Sequence, residues 1–333
     1  MARALVLSAI LLLLAACDAD NPREAFLDSR VPPSLAGRFF PPEGWAWGRV
    51  AGGAAPPQRY GVSGPPGAPR ATILILTGSG ETAEAWFETV KDLNGRGHTV
   101  WILERLGQGG SGRYARPREL IHARSFDPDV AAVEAMAREV IRPSPETPFV
   151  VLAEAQGGLV ALQALKGGLR VDGLILSDVE FKSARTPSFM ERLAVSLGMG
   201  QMAAPGYRPW RREQSTIRLV GDRWRRGVQH AWQVANPDLR MAGPSLAWLR
   251  AEGAAEAEAE RALPASETPM AVLGAGEKVV AGCRSAVRCR AMTFPEAKGP
   301  LYLERDVVRD RWMGEINSFV DELVFKHSDA PSK

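Results

Sequence analysis

The sequence predicts an α/β protein, with a mostly parallel sheet, helices on both faces and an inserted helical cap. Three observations predict it. Short apolar runs alternate with amphipathic helical stretches from residue 71 onward. The alternation stops at about residue 182 and resumes at Met270-Ala271-Val272-Leu273. The composition, 45% hydrophobic and 24% charged, is that of a globular chain, which excludes collagen-like, disordered and polytopic membrane classes. Strands that read as continuous apolar runs are buried on both faces, as in a parallel sheet between two helical layers.

The chain opens with Met1-Ala2-Arg3, an apolar stretch from Leu5 to Leu14, and then Ala15-Ala16-Cys17. Spanning a bilayer takes ~20 apolar residues, so this shorter stretch suits a secretory signal instead. Leu14-Ala15-Ala16-Cys17 resembles the lipobox of bacterial lipoproteins. That resemblance implies a signal peptide over 1–17, an acylated Cys17 heading the mature chain, and a periplasm-facing lipoprotein anchored in the cell envelope. Asp18 resembles an inner-membrane retention signal used in some lineages. A plain signal peptide cut nearby is the alternative, and it also exports the chain.

Residues 18–44 are Pro-rich and aperiodic and read as a tether. The expected core covers 45–181 and 266–326. Its strands are Thr72–Thr77, Thr99–Leu103, Phe149–Ala153, Leu174–Leu176, Met270–Leu273 and Arg290–Phe294. Helices are expected over Thr82–Asn94, Pro128–Ile141 and Gly158–Lys166. A last helix, Glu304–Phe325, carries Val308, Trp312, Ile316, Phe319 and Leu323 at helical spacing. Residues 182–265 form the expected cap, in which Arg208 to Arg226 includes seven Arg against two acids and Ala251–Ala262 reads as a solvated helix. Residues 327–333 are a tail.

Lys and Arg total 41 against 38 Asp and Glu, too even a balance to imply a nucleic-acid partner. In an oxidising compartment the pair Cys283 and Cys289 invites a disulfide, with two free buried thiols as the alternative. A zinc site would need more ligands, and the four histidines are scattered.

Gly107-Gln108-Gly109-Gly110-Ser111-Gly112 satisfies G-x-G-x-x-G after a strand. A dinucleotide turn opens directly into a helix, whereas here Arg113-Tyr114-Ala115-Arg116-Pro117 follows, so no dinucleotide and no other cofactor is expected. The sharper motif is Ala153-Glu154-Ala155-Gln156-Gly157-Gly158 between a strand and a helix. It has the architecture of a nucleophile elbow, in which a G-x-S-x-G turn exposes a serine above the sheet.

Over about residues 59–325 the chain resembles the α/β-hydrolase superfamily, and more narrowly its lysophospholipase L2 and monoacylglycerol lipase branch, also described as serine aminopeptidase S33-like. Arg59-Tyr60-Gly61 is similar to the family's opening and Thr77-Gly78-Ser79-Gly80-Glu81 to its oxyanion loop. Arg105–Arg113 resembles its Arg-Gly-Gln-Gly-x-Ser-x-Arg loop, and Gly243-Pro244-Ser245 with Trp248-Leu249 a stretch of its cap. The resemblance implies an α/β-hydrolase fold and places the triad nucleophile at Ala155, the acid at Glu277 and the histidine at Gly299. Two of the three are therefore absent, and in a triad enzyme such losses cost on the order of 10⁶ in rate. What survives is an expected oxyanion hole from the backbone N–H groups of Ser79 and Gln156. A carboxylate elbow on Glu154 would put Leu152 and Gln156 where small residues are required. Ser79, Ser111 and Ser177 have no recognisable base beside them.

The sequence thus points to an exported, lipid-anchored pseudo-hydrolase binding a lipid-like or acyl small molecule, or a protein partner, under the cap. A working lysophospholipase- or monoacylglycerol-lipase-like ester hydrolase with an unusual active site is the runner-up. A purely structural envelope protein with a collapsed pocket is the third class.

Overall fold

A computed structural model of the chain describes residues 24–179, 181, 188–213, 220–263, 266–276, 283, 286 and 288–329. Cys17 and Glu277, and with them the lipobox and the expected acid, lie outside the described residues. Eight strands form one sheet: β1 (Ala46–Val50), β2 (Gln58–Ser63), β3 (Ala71–Leu76), β4 (His98–Leu103), β5 (Phe149–Glu154), β6 (Gly173–Ser177), β7 (Met270–Gly274) and β8 (Cys289–Thr293). Their order is β1-β2-β4-β3-β5-β6-β7-β8. β1–β2 and β2–β4 are antiparallel and all other pairs parallel, so the expected mostly parallel sheet forms.

Strand side chains alternate between faces, and both faces are filled. Val151, Ala153, Leu174 and Leu176 pack under α2 (Asp127–Ala135) and α3 (Gln156–Lys166). Val150, Leu152 and Ile175 pack under α1 (Phe87–Gly95) and α7 (Asp306–Ser328), where Trp86, Trp312 and Ile316 are fully buried. Each such aliphatic side chain contributes ~1.5–3 kcal/mol when removed from water, which makes this double layer the main stabilising unit. The expected Pro128–Ile141 helix is α2 followed by a π-helical turn, Met136–Ile141. The antiparallel strand β1 was not expected, and of β2 only the motif Arg59-Tyr60-Gly61 was noted.

Between β6 and β7 the chain forms the cap, with α4 (Phe189–Ser196), α5 (Arg225–Ala235) and α6 (Leu246–Ala262). Helix α6 corrects the solvated reading of Ala251–Ala262. Ala251, Ala255 and Ala259, spaced by four, are buried in the same cluster as Leu159 and Leu162 of α3. Small alanines let the two helices approach closely, while Gln163 and Lys166 of α3 both bond Glu258 at the edge.

The tether reading is corrected from Glu24 on. Phe39 is buried with Phe87, Val228, Trp232 and Leu239, and Phe26 and Leu35 pack against that cluster. Phe26 N–H donates to the Gly110 carbonyl at 2.7 Å, and Arg30 N–H donates to Asn236 Oδ1 at 2.7 Å. Cys283 and Cys289 are joined by a disulfide that links the segment before β8 to the strand itself. Among the described residues no helix is long and apolar enough to cross a membrane.

The glycine-rich loop after β4 wraps a buried ion cluster. Arg59 lies between Glu84 and Glu104, at 2.9 and 2.7 Å, with all three side chains fully buried. Gly110 N–H donates to Glu104 at 2.7 Å, and a Cβ on Gly110 would stand 2.4 Å from Arg59 Nε. The glycines are there because the loop backbone closes directly over this charge pair.

Candidate functional site

Strand β5 ends at Glu154, and the chain turns at Ala155 directly into α3. Ala155 has φ 44° and ψ −119°, a backbone that residues other than glycine rarely hold and that costs about 1–3 kcal/mol. Gly157 allows the turn to close: a Cβ there would lie 2.5 Å from the Leu76 carbonyl oxygen. The backbone is therefore the sharp strand-to-helix elbow that presents a nucleophile in hydrolases, but the group it presents is a methyl.

Of the two expected oxyanion donors, Ser79 N–H is seen in contact with Gln156, but with its side chain rather than its backbone N–H. Ser79 N–H is engaged by the side chain of Gln156, whose Oε1 accepts at 3.0 Å. Gln156 is in turn held by the cap, its Nε2 donating to Glu252 Oε1 at 2.8 Å. The next amide, Gly80 N–H, donates to Gln108 Oε1 at 2.6 Å. Two side-chain carbonyl oxygens of the protein thus accept from the successive amides of Ser79 and Gly80.

Gly299 lies in the turn between β8 and α7. That turn is pinned to the end of β6, because Leu301 N–H donates to Asp178 Oδ2 at 3.2 Å. Ala275 N–H donates to the other oxygen of Asp178 at 2.9 Å. Each histidine is held elsewhere: His98 is buried in β4, His122 Nδ1 contacts Ser245 Oγ at 2.8 Å, His230 Nε2 contacts the Arg212 carbonyl, and His327 lies near Asp172. The His122–Ser245 pair is no hydrolytic dyad. Both residues are buried, and Ser245 Oγ already accepts the Trp248 amide as the cap of α6.

Of the other serines, Ser111 is buried, accepting Arg59 N–H and donating to the Glu104 carbonyl. Ser177 is buried and accepts the Trp312 indole N–H at 3.2 Å. Ser79 Oγ donates to Gln108 Oε1 at 3.4 Å. Ser177 also hydrogen-bonds the buried Glu154 carboxyl, and none of the three serines has a histidine beside it.

What fills the centre is a buried acid cluster that the sequence reading did not single out. Glu81 accepts Gly78 N–H at 2.8 Å, Trp86 Nε1–H at 3.2 Å and the Tyr302 hydroxyl at 3.0 Å. A Cβ built on Gly78 would lie 3.3 Å from the Ala155 methyl and 3.2 Å from the Glu81 carboxyl carbon, so the carboxyl stands close beside the elbow. Burial pushes Glu81 up to about 7, against three hydrogen bonds that pull it down and the nearby Asp178 charge that adds to the rise. Burial, with Asp178 and Glu81 nearby, also raises Glu154 well above the carboxylate range. Burial and the same acids raise the Tyr302 phenol. The aromatic ring that reaches the centre from the last loop is thus Tyr302, three residues beyond Gly299, stacked on Trp86 with centroids 3.8 Å apart. Glu81 was legible only as part of the oxyanion-loop motif, and Tyr302 carried no signal. Among the described residues no cluster of His, Cys, Asp or Glu is arranged to hold a metal.

Comparison with known proteins agrees with this geometry. Residues 67–292 match the family described as serine aminopeptidase, S33. Lysophospholipase L2 of Escherichia coli (strain K12) is 27% identical over 188 residues, 54% of this chain and 55% of that protein. The chain therefore spans about half the length of the curated relatives it matches. Among solved structures, a thermostable carboxyl esterase from Bacillus coagulans superposes with TM-score 0.63 at 16% identity, covering 84% of this chain and 99% of that one. A soluble variant of monoglyceride lipase from Saccharomyces cerevisiae gives TM-score 0.63 at 13% identity, covering 88% and 99%. At these identities the structures speak for the fold alone. Sheet order, elbow, cap and family match converge: the chain belongs to the serine aminopeptidase S33 family and has the α/β-hydrolase fold, with alanine at the elbow.

Proposed function

We propose that this protein is a non-hydrolytic member of its family that holds a lipid-like or acyl ligand between elbow and cap without cleaving it. The observation that carries the reading is Ala155 at the elbow. A methyl has no lone pair to attack a carbonyl, and no histidine stands at Gly299 to activate a substitute. The likeness to lysophospholipase L2 supports a lipid as the ligand class. The Gln156 side chain, held by Glu252, occupies Ser79 N–H, so a ligand oxygen that binds this amide has to displace it. Export and acylation at Cys17 belong to the same proposal and rest on the sequence of residues 1–17.

The test is labelling with a fluorophosphonate probe alongside hydrolysis of short acyl esters and monoacylglycerols. Neither labelling nor turnover is expected. Labelling abolished by replacing one specific serine would overturn the proposal in favour of an active hydrolase. Native mass spectrometry of the purified chain then asks whether a lipid co-purifies. Absence of any bound lipid, together with no binding of added lysophospholipid or fatty acid, would leave a purely structural protein.

A further inference from the structure

Exposed apolar side chains are not spread evenly over the described surface. Of the large hydrophobic residues exposed there, Phe189, Met190, Leu193, Leu197, Met199 and Met202 fall in one short stretch of the cap. Helix α4 itself buries none of its residues. Phe189, Leu193 and Leu197 repeat every four residues on one side, while Val195 lies beside Leu246 and Leu249 of α6. Phe189, Met190 and Leu197 are 68%, 67% and 66% exposed, so the apolar side of this helix points to solvent. Contiguous exposed apolar patches of this kind mark contact surfaces rather than ordinary protein exterior.

The charges around the patch are mostly of one sign. Arg192 and Arg250 line the groove between α4 and α6, with Glu191. Arg116 N–H reaches Gln201, and Arg208 follows Tyr207 beside Gly243. All four arginines are exposed. Among the described residues, the acids beside it include Glu191, which turns back to accept Ser188 N–H as the cap of α4, and Glu119 near Tyr207. A helix with apolar side chains outward and arginines along its flanks has the chemistry of a segment that lies in the headgroup region of an anionic membrane.

The start of the described chain is bonded to the loop that also carries Arg116. Phe26 is bonded to the loop after β4 and Arg30 to the end of α5. Arg116, at the edge of the patch, belongs to that same loop. Cys17 lies seven residues before Glu24 in sequence. At 3.3–3.6 Å per residue that segment reaches about 25 Å at most. We propose that α4 and the following turn, residues 188–204, form a peripheral docking surface for an anionic lipid bilayer, which seats the cap against the membrane. The inference rests on the proposed Cys17 anchor for orientation only; the surface itself is argued from its residues.

The experiment is hydrogen–deuterium exchange of the full chain with vesicles of phosphatidylcholine alone and of phosphatidylcholine with phosphatidylglycerol, together with flotation. Amides of 188–204 should exchange several-fold more slowly with the anionic vesicles, while those of 306–325 are unchanged. The double variant Phe189→Asp and Leu197→Asp should lose the protection and keep its melting temperature, since α4 buries nothing. Protection without stable flotation supports the surface and removes the anchor. Flotation with no protection at 188–204 keeps the anchor and overturns the surface, and absence of both overturns both. Equal protection by neutral vesicles overturns the anionic assignment, and protection that depends on protein concentration without vesicles would assign the patch to a second copy.

Discussion

Replacing Ala155 by glycine should stabilise this protein, although a glycine usually weakens a folded chain. Ala155 sits at φ 44°, ψ −119°, where a Cβ is strained by about 1–3 kcal/mol and glycine is not. Against that relief stands the extra backbone freedom of glycine in the unfolded chain, about 0.5–1 kcal/mol. Loss of a half-buried methyl costs at most ~0.8 kcal/mol more. With both costs at their maximum, the balance is a stabilisation of about 1 kcal/mol at the upper end of the strain range and a loss of about 0.8 kcal/mol at the lower. With ~2.1 cal/mol/K of unfolding entropy per residue, 1 kcal/mol raises Tm by about 2 °C in a chain of this length. The control is Ala153→Gly, the same atoms removed two residues earlier from fully buried, regular strand β5. It should destabilise by roughly 1 kcal/mol or more, because nothing there is strained. Urea unfolding followed by far-UV circular dichroism compares the midpoints of both variants with the parent. If Ala155→Gly loses as much as Ala153→Gly, residue 155 is not in the elbow conformation and the site assignment fails.

Ala155→Ser should fold and remain inactive towards acyl esters, and Ala155→Ser with Gly299→His is the minimum change able to give turnover; measurable hydrolysis by the single variant would reveal an unrecognised base. Stability should fall as pH rises from about 4.5 through 7, because the folded state binds the Glu81 proton more tightly than the unfolded chain does. Glu81→Gln, which keeps the neutral form, should reduce that slope, with the raised Glu154 supplying the remainder, and exceed the parent above pH 8 by no more than roughly 3 kcal/mol; a parent with a flat profile between pH 4.5 and 8 would refute the raised carboxyls. Gln156→Ala frees Ser79 N–H, so dodecanoate should bind about tenfold more tightly by calorimetry, equivalent to 1.4 kcal/mol; unchanged affinity would show that the ligand does not displace Gln156. Removing the bond across the six-residue separation with Cys283→Ala and Cys289→Ala should lower stability by about 2 kcal/mol, read from denaturation midpoints without reductant.

How much of this was legible beforehand follows from the range of the interactions. The parallel strands from β3 to β8 and the helices α1, α2, α3 and α7 were readable because apolar periodicity is local. The elbow was readable for the same reason: a buried strand, small residues and a helix adjoin in sequence, and Ala155 states its own chemistry. Ala251–Ala262 misled because its alternating Ala and Glu show no large apolar stripe, whereas the α3 surface it meets needs only alanines to pack closely. Residues 24–44 misled because proline-rich, aperiodic sequence is shared by free tethers and by segments pressed onto aromatic clusters such as Trp45, Trp47 and Trp232.

By itself the sequence determined the fold class and the alanine at the elbow, since both depend on residue types at short spacing. Only the tertiary structure decided what stands around that alanine. Gln156 reaches Ser79 across 77 residues, Glu252 reaches Gln156 across 96, and Tyr302 reaches Glu81 across 221. Such contacts leave no periodic trace, because they form where the parallel sheet brings successive loops together at its carboxyl edge. The outward apolar face of α4 belongs with them: its spacing is that of any amphipathic helix, and only the assembled cap shows that the apolar side faces water.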